Sequence, residues 1–377
     1  MSLTPAAAFR WLRTGDDAYA AMLDAIETET DSVRLETYIF TASPLGERFR
    51  DALVRAQKRG VKVRLLIDAW GSMDLPKDFW TPLTEAGGEL RWFNPLELKR
   101  FVIRNHRKLL VCGRHTAFVG GFNIAPEYEG DGVTRGWRDQ GLRITGPLAQ
   151  KLAESFDLFF SRADFRHPRF ARLLKSSLPS RLQAPQGDIL IGRPSRGRNA
   201  IKHSLAVDLA PARHVQIMAA YFLPTWPIRR ALARVVRRGG QVQLLLAGQS
   251  DVPLSQLACQ GLYQRLLRAG MEIYEYQPQV LHAKLVVIDD IVYIGSANLD
   301  TRSLDINYEL LVRLPNLKLA SEARAMFAED LTRSRRIDPA VWRKARSFWQ
   351  RLKERWAYFL LAHVDPFIAR RQLKRLR

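Results

Sequence analysis

His282-Ala-Lys284-Leu-Val-Val-Ile-Asp289 leads into Gly295-Ser296-Ala-Asn298, and the chain has already made nearly the same statement once. The earlier version is His106-Arg-Lys108-Leu-Leu-Val-Cys-Gly113, followed by Gly120-Gly121-Phe-Asn123. Each copy supplies one histidine, one lysine and one asparagine at matched spacing. Half a site duplicated by an internal repeat implies one whole site where the repeats meet. Two histidines facing each other there suit double displacement at a phosphodiester.

The repeat continues outward from these motifs. Arg50 to Ile67 reads against Arg230 to Leu246: an amphipathic helix with a basic last turn, a glycine stop at Gly60 or Gly239, then an apolar strand. Ala86-Gly87 through Pro95 reads against Ala269-Gly270 through Pro278. The helix–glycine–strand grammar is common in α/β proteins, but here several segments recur in order at nearly constant offset.

The apolar patterns predict strands at Val33–Phe40, Val61–Ile67, Glu89–Phe93, Lys108–Cys112, Thr116–Val119 and Gln140–Ile144 in the first half. The second half offers Val215–Ala220, Val242–Leu246, Glu272–Tyr276, Lys284–Ile288, Ile291–Ile294 and Glu309–Val312. Helices are expected at Asp16–Glu29, Gly46–Arg59, Pro76–Ala86, Pro227–Arg238, Pro253–Ala269 and Leu317–Arg333. Alternating strands and helices imply an α/β/α sandwich in each half, and the closely spaced last strands make the sheets mixed. The expected division is 1–175 for the first half, 176–199 as a Pro-, Ser-, Gly- and Arg-rich linker, 200–335 for the second half, and 336–377 as a tail.

At 377 residues the chain is long enough for two cores. No apolar run approaches the roughly 20 residues that span a bilayer, and the N-terminal residues do not read as a secretory signal. Cys112 and Cys259 read as reduced core residues. The net charge of +21 attracts polyanions, either nucleic acid or an anionic leaflet, and an arginine-rich genome would raise it too. The tail favours the leaflet: from Arg333 to Arg377 there are fourteen Lys/Arg against three Asp/Glu. Within it Phe348, Trp349, Leu352, Trp356, Phe359, Leu360 and His363 recur at helical spacing, as in an in-plane interfacial helix. Packing of this helix on the second half is an equally open reading, and the final Arg370 to Arg377 would then meet the headgroups.

His-x-Lys-x4-Asp followed by Gly-x-x-Asn resembles the phospholipase D superfamily, over roughly Val33 to Leu331. The second copy matches in full. The first has Gly113 where the family has aspartate, which glycine can replace at a turn. The resemblance implies two pseudo-symmetric phospholipase D-like domains with one active site at their interface. It implies a catalytic set of His106, Lys108, Asn123, His282, Lys284 and Asn298, with Asp289 from the full motif. It also implies a carboxylate partner for each histidine on the following strand, Asp139 and Glu309 being the candidates. Gly121 and Ser296 are expected at the substrate. One histidine, His106 by resemblance, would attack phosphorus, and His282 would serve as acid and base. With two lysines and two asparagines around the phosphate oxygens, no metal or other cofactor is called for.

Leu35-Glu36-Thr37-Tyr38-Ile39-Phe40, Ser250-Asp251-Val-Pro253 and Tyr274-Glu-Tyr-Gln-Pro278 look more narrowly like bacterial cardiolipin synthases of the short type without transmembrane helices. That resemblance implies a phosphatidyltransferase working peripherally on the cytoplasmic face of the inner membrane. Phospholipids, commonly phosphatidylglycerol, would be its substrates, an anionic membrane surface its partner, and nucleic acid would not be bound. The alternatives are a hydrolase of the same fold, on phospholipid or nucleic acid, and a non-catalytic binder. Tyr38, Tyr128, Phe222 and Trp226 are open to reading either as an acceptor channel or as core.

Overall fold

The computed structural model describes residues 8–94, 103–163, 179–194, 199–365 and 367, apart from the side chain of residue 343. The first half runs β1 (Phe9–Leu12), α1 (Gly15–Thr28), β2 (Ser32–Thr37), α2 (Pro44–Lys58), β3 (Lys62–Asp68), α3 (Thr81–Glu85), β4 (Glu89–Phe93), β5 (Leu109–Cys112), β6 (Thr116–Gly120), β7 (Gly141–Thr145) and α4 (Pro147–Arg162). The second runs β8 (Arg181–Ala184), β9 (Gly187–Gly192), α5 (Ala200–Leu209), β10 (His214–Ala219), α6 (Trp226–Arg237), β11 (Gln241–Ala247), α7 (Pro253–Arg268) and β12 (Glu272–Tyr276). It continues through β13 (Lys284–Ile288), β14 (Ile291–Gly295), α8 (Thr301–Asp305), β15 (Glu309–Pro315), α9 (Leu317–Thr332) and β16 (Ser334–Arg336), then the tail helices α10 (Pro339–Lys344) and α11 (Phe348–Phe359).

Two mixed sheets result, ordered β1-β7-β6-β5-β2-β3-β4 and β16-β12-β11-β10-β13-β14-β15-β9-β8. The strands β1 to β7 correspond in order to β9 to β15, read along the sheets. In each half three neighbouring strands toward one end of the sheet are parallel, β2-β3-β4 and β10-β11-β12, and the rest antiparallel. Local chemistry explains the shared turns. α2 starts with the Ser43 side chain accepting from Gly46 N and Pro44 in the first turn, and ends on basic Arg55 and Lys58. Gly60 and its counterpart Gly239 follow with φ of +91° and +80°, a conformation that costs other residues energy.

Alternate residues of each strand go to different cores. Val33, Leu35, Val63 and Leu65 pack under α1 and α2. Val215, Ile217, Val242 and Leu244 pack under α5, α6 and α7. The inner faces share a third core, in which Leu109, Val111, Leu285 and Val287 meet Phe156 and Phe159 of α4 and Met326 and Phe327 of α9. Each half is thus an α/β/α sandwich, and α4 and α9 form a common middle layer.

Two expectations need correction. The stretch expected as a linker at 176–199 contains β8 and β9, which extend the second sheet by pairing with β15. Pro185 and Gln186 make the turn of this hairpin, and β9 is the second-half counterpart of β1. The helix expected at Pro76–Ala86 shortens to α3. β1, α4 and α5 were not foreseen. Cys112 and Cys259 are buried free thiols. No helix among the described residues is long and apolar enough to cross a membrane.

α11 packs on α7 through one face, burying Glu354 and Ala357. The opposite face carries Phe348, Trp349, Trp356 and Phe359, which are 72%, 69%, 59% and 49% exposed. The tail is therefore packed on the second half while its aromatic stripe points outward. The expected contacts of Arg370 to Arg377 lie outside the described residues.

Candidate active site

The histidine motifs sit where β5 and β13 begin, beside the C-terminal ends of the parallel strands; Ala219 of β10 pairs with Lys284. In an extended segment, residues i and i+2 project to one side. His106 and Lys108 therefore project to the same side, as do His282 and Lys284; the histidines line the cleft and both lysines are buried. Lys108 Nζ donates to the His106 carbonyl at 3.0 Å, and Lys284 Nζ lies 2.8 Å from His282 Nδ1. The intervening residue points the other way. Arg107 is fully buried, 3.1 Å from Glu36 and 4.7 Å from the centre of the Phe159 ring. Ala283 fills this position in the second copy, so the repeat is not symmetric behind the site.

The two halves are tied by two short parallel bridges, Asn105 to Tyr308 and Arg138 to Leu281. His106 N donates to the Tyr308 carbonyl at 2.9 Å, and His282 N donates to the Arg138 carbonyl at 2.8 Å. The residue after each bridge position is then a histidine on one strand and a carboxylate on the other. His106 Nδ1 lies 3.1 Å from both Glu309 oxygens, and His282 Nδ1 lies 2.6 Å from Asp139 Oδ2. Each histidine takes its carboxylate from the opposite half. The carboxylates themselves were legible in the sequence; the crossing was not.

The cleft between the halves encloses about 550 Å³ and is lined by both histidines, Asn123 and Asn298. Asn123 is engaged at both ends: Oδ1 accepts from Ile39 N at 3.1 Å, and Nδ2 donates to Tyr128 Oη at 2.6 Å. The buried Oδ1 of Asn298 has no hydrogen-bond partner among the described residues. Tyr128 Oη sits 3.3 Å from His282 Nε2, while the Tyr38 ring lies 5.0 Å from the His106 ring, tilted by 59°. Of the four aromatic candidates, Tyr38 and Tyr128 line the cleft, Phe222 is in the core and Trp226 is on the outer surface.

Three expected site residues stand elsewhere. Asp289 lies at the far end of β13, where its carboxylate accepts from Arg213 N and His214 N at 3.1 and 2.8 Å. Its φ of +46° makes it a turn residue. Ser296 is buried behind the site, its hydroxyl donating to Glu309 Oε2 at 2.5 Å. Gly121 is the counterpart of Ser296, and a Cβ there would meet the Asp139 oxygens at 2.3 and 2.4 Å. Both positions support the carboxylates and do not face the cleft. Conversely, Arg104, Tyr221, Asp251, Asp300, Arg302 and Asp365 line the cleft without having been singled out as site residues. Asp251 did lie within the phrase Ser250-Asp251-Val-Pro253, and Asp300 and Arg302 follow Asn298 directly in the second motif. Asp365 had no local signal, because the tail brings it there through an ion pair with Arg302.

Burial governs the titrations. It lowers Lys108 to about 7 and Lys284 to about 8, against the pull of Glu309 and Asp139 respectively. Burial, joined by Lys284 and Lys108, holds His282 well below its ordinary range. Burial also lowers His106, with Glu309 opposing. Asp139 is pushed by burial up to about 7, and its Oδ2 lies 2.6 Å from His282 Nδ1, so the two groups titrate together. A bound phosphodiester anion would favour the ammonium form of both lysines.

Paired histidines with crossed carboxylates and flanking lysines, on two repeats of one α/β fold, define a phospholipase D-like protein. Residues 22–157 and 208–331 match the family described as cardiolipin synthase, PLD-like domain, and the chain belongs to that family. The major cardiolipin synthase ClsA of Bacillus subtilis is 32% identical over 90% of this chain and 72% of its own length. Cardiolipin synthase B of Salmonella typhimurium is 30% identical over 95% of this chain and 88% of its own. In fold, the chain is similar to phosphatidylserine synthase of Haemophilus influenzae, with a TM-score of 0.74 at 14% identity, covering 96% of this chain and 94% of that one.

Proposed function

We propose that this protein transfers a phosphatidyl group from one phospholipid, phosphatidylglycerol in the first instance, to a hydroxyl of another, forming cardiolipin. The observation that carries this reading is the pair of crossed histidine–carboxylate dyads facing one cleft. Nε2 of His106 attacks phosphorus while His282, protonated on Nε2, gives its proton to the departing glycerol oxygen. A phosphatidyl-histidine and free glycerol result. His282 then takes the proton from the acceptor hydroxyl, whose oxygen attacks phosphorus and releases His106. The His106 side chain is 12% exposed and that of His282 is 5%, which favours His106 as the nucleophile. Lys108 and Lys284 balance charge on the non-bridging oxygens, and Asn298 is the asparagine with capacity left for them. Glu309 and Asp139 fix the ring tautomers and stabilise the imidazolium.

The outward aromatic stripe of α11, within a basic tail, supports attachment to the surface of an anionic membrane. The cytoplasmic face of the inner membrane fits this reading. The test is mass spectrometry of lipids after incubation with phosphatidylglycerol vesicles, alongside His106→Ala and His282→Ala. Cardiolipin plus glycerol from the wild type alone is the expected result. Phosphatidic acid in place of cardiolipin would make the protein a hydrolase and overturn the proposal.

A further inference from the structure

On the edge between its buried face and its aromatic face, α11 carries Arg351 and Arg355. Across from them the last turns of α7 carry Arg265 and Arg268. These four line a groove of about 660 Å³, separate from the catalytic cleft. A fifth arginine at the groove, Arg346, is already matched: it lies 3.3 Å from Glu354 and 3.5 Å from the centre of the Trp342 ring. Arg351 directs Nε and Nη2 to the Arg346 carbonyl at 3.0 and 2.8 Å. Among the described residues, no carboxylate lies within ion-pair distance of Arg265, Arg268, Arg351 or Arg355.

Arginines in the last turn of a helix are ordinary, since they complement its dipole. Among the described residues, Glu354 is the one carboxylate lining the groove, paired with Arg346 and near Arg351. Against it stand four further arginines converging from two helices, so the groove keeps a surplus of positive charge that an anion would neutralise. Guanidinium groups bind phosphate through paired N–H donors. The wall of the groove is aromatic, with Tyr358 and Phe359 on α11, and Phe359 continues into the exposed stripe. An anion with an apolar body fits this combination better than a free ion or a nucleic acid strand.

We propose that this groove is a second phospholipid site, holding the phosphate of an anionic lipid that is not being turned over. The proposal rests on reading α11 as the membrane-facing helix and is independent of the histidine chemistry. The probe is phosphatidic acid, a monoester with no head alcohol to exchange. Binding of the intact protein to phosphatidylcholine vesicles, with and without phosphatidic acid, is measured for the wild type, R265Q/R268Q and R234Q/R237Q. The last pair removes the same charge from the far end of α6. Affinity for the phosphatidic acid vesicles should fall about 30-fold in R265Q/R268Q, given the usual contribution of each cation at an anionic surface. The control should change by no more than about threefold, and neutral vesicles should not distinguish the proteins. Equal losses in both variants would reduce the effect to overall charge and overturn the site. Displacement of the wild type from these vesicles by inorganic phosphate or by an oligonucleotide, but not by soluble short-chain phosphatidic acid, would assign the groove to those anions and also overturn it. Turnover of dispersed short-chain phosphatidylglycerol should be the same in all three proteins. That readout certifies folding, and its absence everywhere would count against the transferase and not against the groove.

Discussion

Gly113 replaces the motif aspartate, and the structure shows what took over from it. In the second half, Asp289 accepts from the N–H groups of Arg213 and His214, at the entry to β10. In the first half, Glu29 accepts from Thr30 N and Asp31 N at 3.0 and 2.8 Å, at the entry to β2. A Cβ built on Gly113 would lie 3.0 and 3.1 Å from the Glu29 oxygens, so the glutamate carboxylate sits where the aspartate would. Gly113 keeps the turn, with φ of +60° against +46° at Asp289. The exchange is of one carboxylate for another, delivered from a different point in the chain.

The magnitudes follow from this geometry. Hydrogen bonds to a charged acceptor contribute about 1.5–3 kcal/mol when buried. Glu29 is half-exposed, and water replaces part of what is lost, so Glu29→Ala should cost about 1 kcal/mol. Gly113→Asp alone sets two carboxylates within about 4 Å, costing about 1–2 kcal/mol at intermediate screening; aspartate tolerates the left-handed conformation. Thermal denaturation should fall by about 1–3 °C in each single variant. E29A/G113D should return close to the wild type, because it rebuilds the arrangement of the second half. Additive losses in the double variant would refute the substitution of one carboxylate for the other. A fall in kcat for Gly113→Asp without a fall in stability would refute the view that this position is remote from the chemistry.

Asp139→Asn and Glu309→Gln should each lower kcat by about 100-fold or more with little change in KM, since a neutral amide neither fixes the tautomer nor stabilises the imidazolium; a loss confined to KM would contradict the crossed dyads. Lys108 and Lys284, lowered by burial to about 7 and about 8, must be protonated to hold an anion. A bound phosphodiester raises both, so affinity is full below pH 7 and declines as pH rises through their free values. KM for phosphatidylglycerol should climb by up to about tenfold per pH unit and per lysine above that point, and a flat KM across the range would remove the lysines from substrate binding.

The parts of the fold that were legible are those whose signal is local. Glu272–Tyr276 and Lys284–Ile288 are strands to the residue, because a short apolar run between turn signals is enough. β8 and β9 were hidden by Gly187 and the prolines around them, and only their place beside β15 reveals a strand. The repeat held the answer: β1 and β9 are counterparts, so recognising one would have exposed the other. At the site, the residue types of both dyads were readable, since a carboxylate follows each motif at the matched position. Their pairing was not, because it depends on bridges 203 and 143 residues apart in the chain. The tail presented its aromatic stripe in the sequence, but which face it packs depends on Glu354 being buried beside Arg346, against ordinary expectation for a glutamate.

The two dyads are built to different lengths, and the difference is internally consistent. In the second half, a glutamate reaches His106 and takes the Ser296 hydroxyl behind it. In the first, an aspartate reaches His282, and the counterpart of Ser296 is Gly121, because any Cβ would collide with the carboxylate. The backbone at Gly121 is not in the left-handed region, so the glycine is required by space and not by conformation. Gly121→Ser should therefore displace Asp139 by roughly 1 Å and lower kcat by about 100-fold, as misplacement of that size does in preorganised sites. Adding Asp139→Glu would recreate the serine–glutamate pair of the other half, and most of the lost kcat should return. Full activity in Gly121→Ser would mean that Asp139 has room to move without consequence for His282. The 2.6 Å contact would then be incidental to catalysis, and the carboxylate assignment for that half would fall.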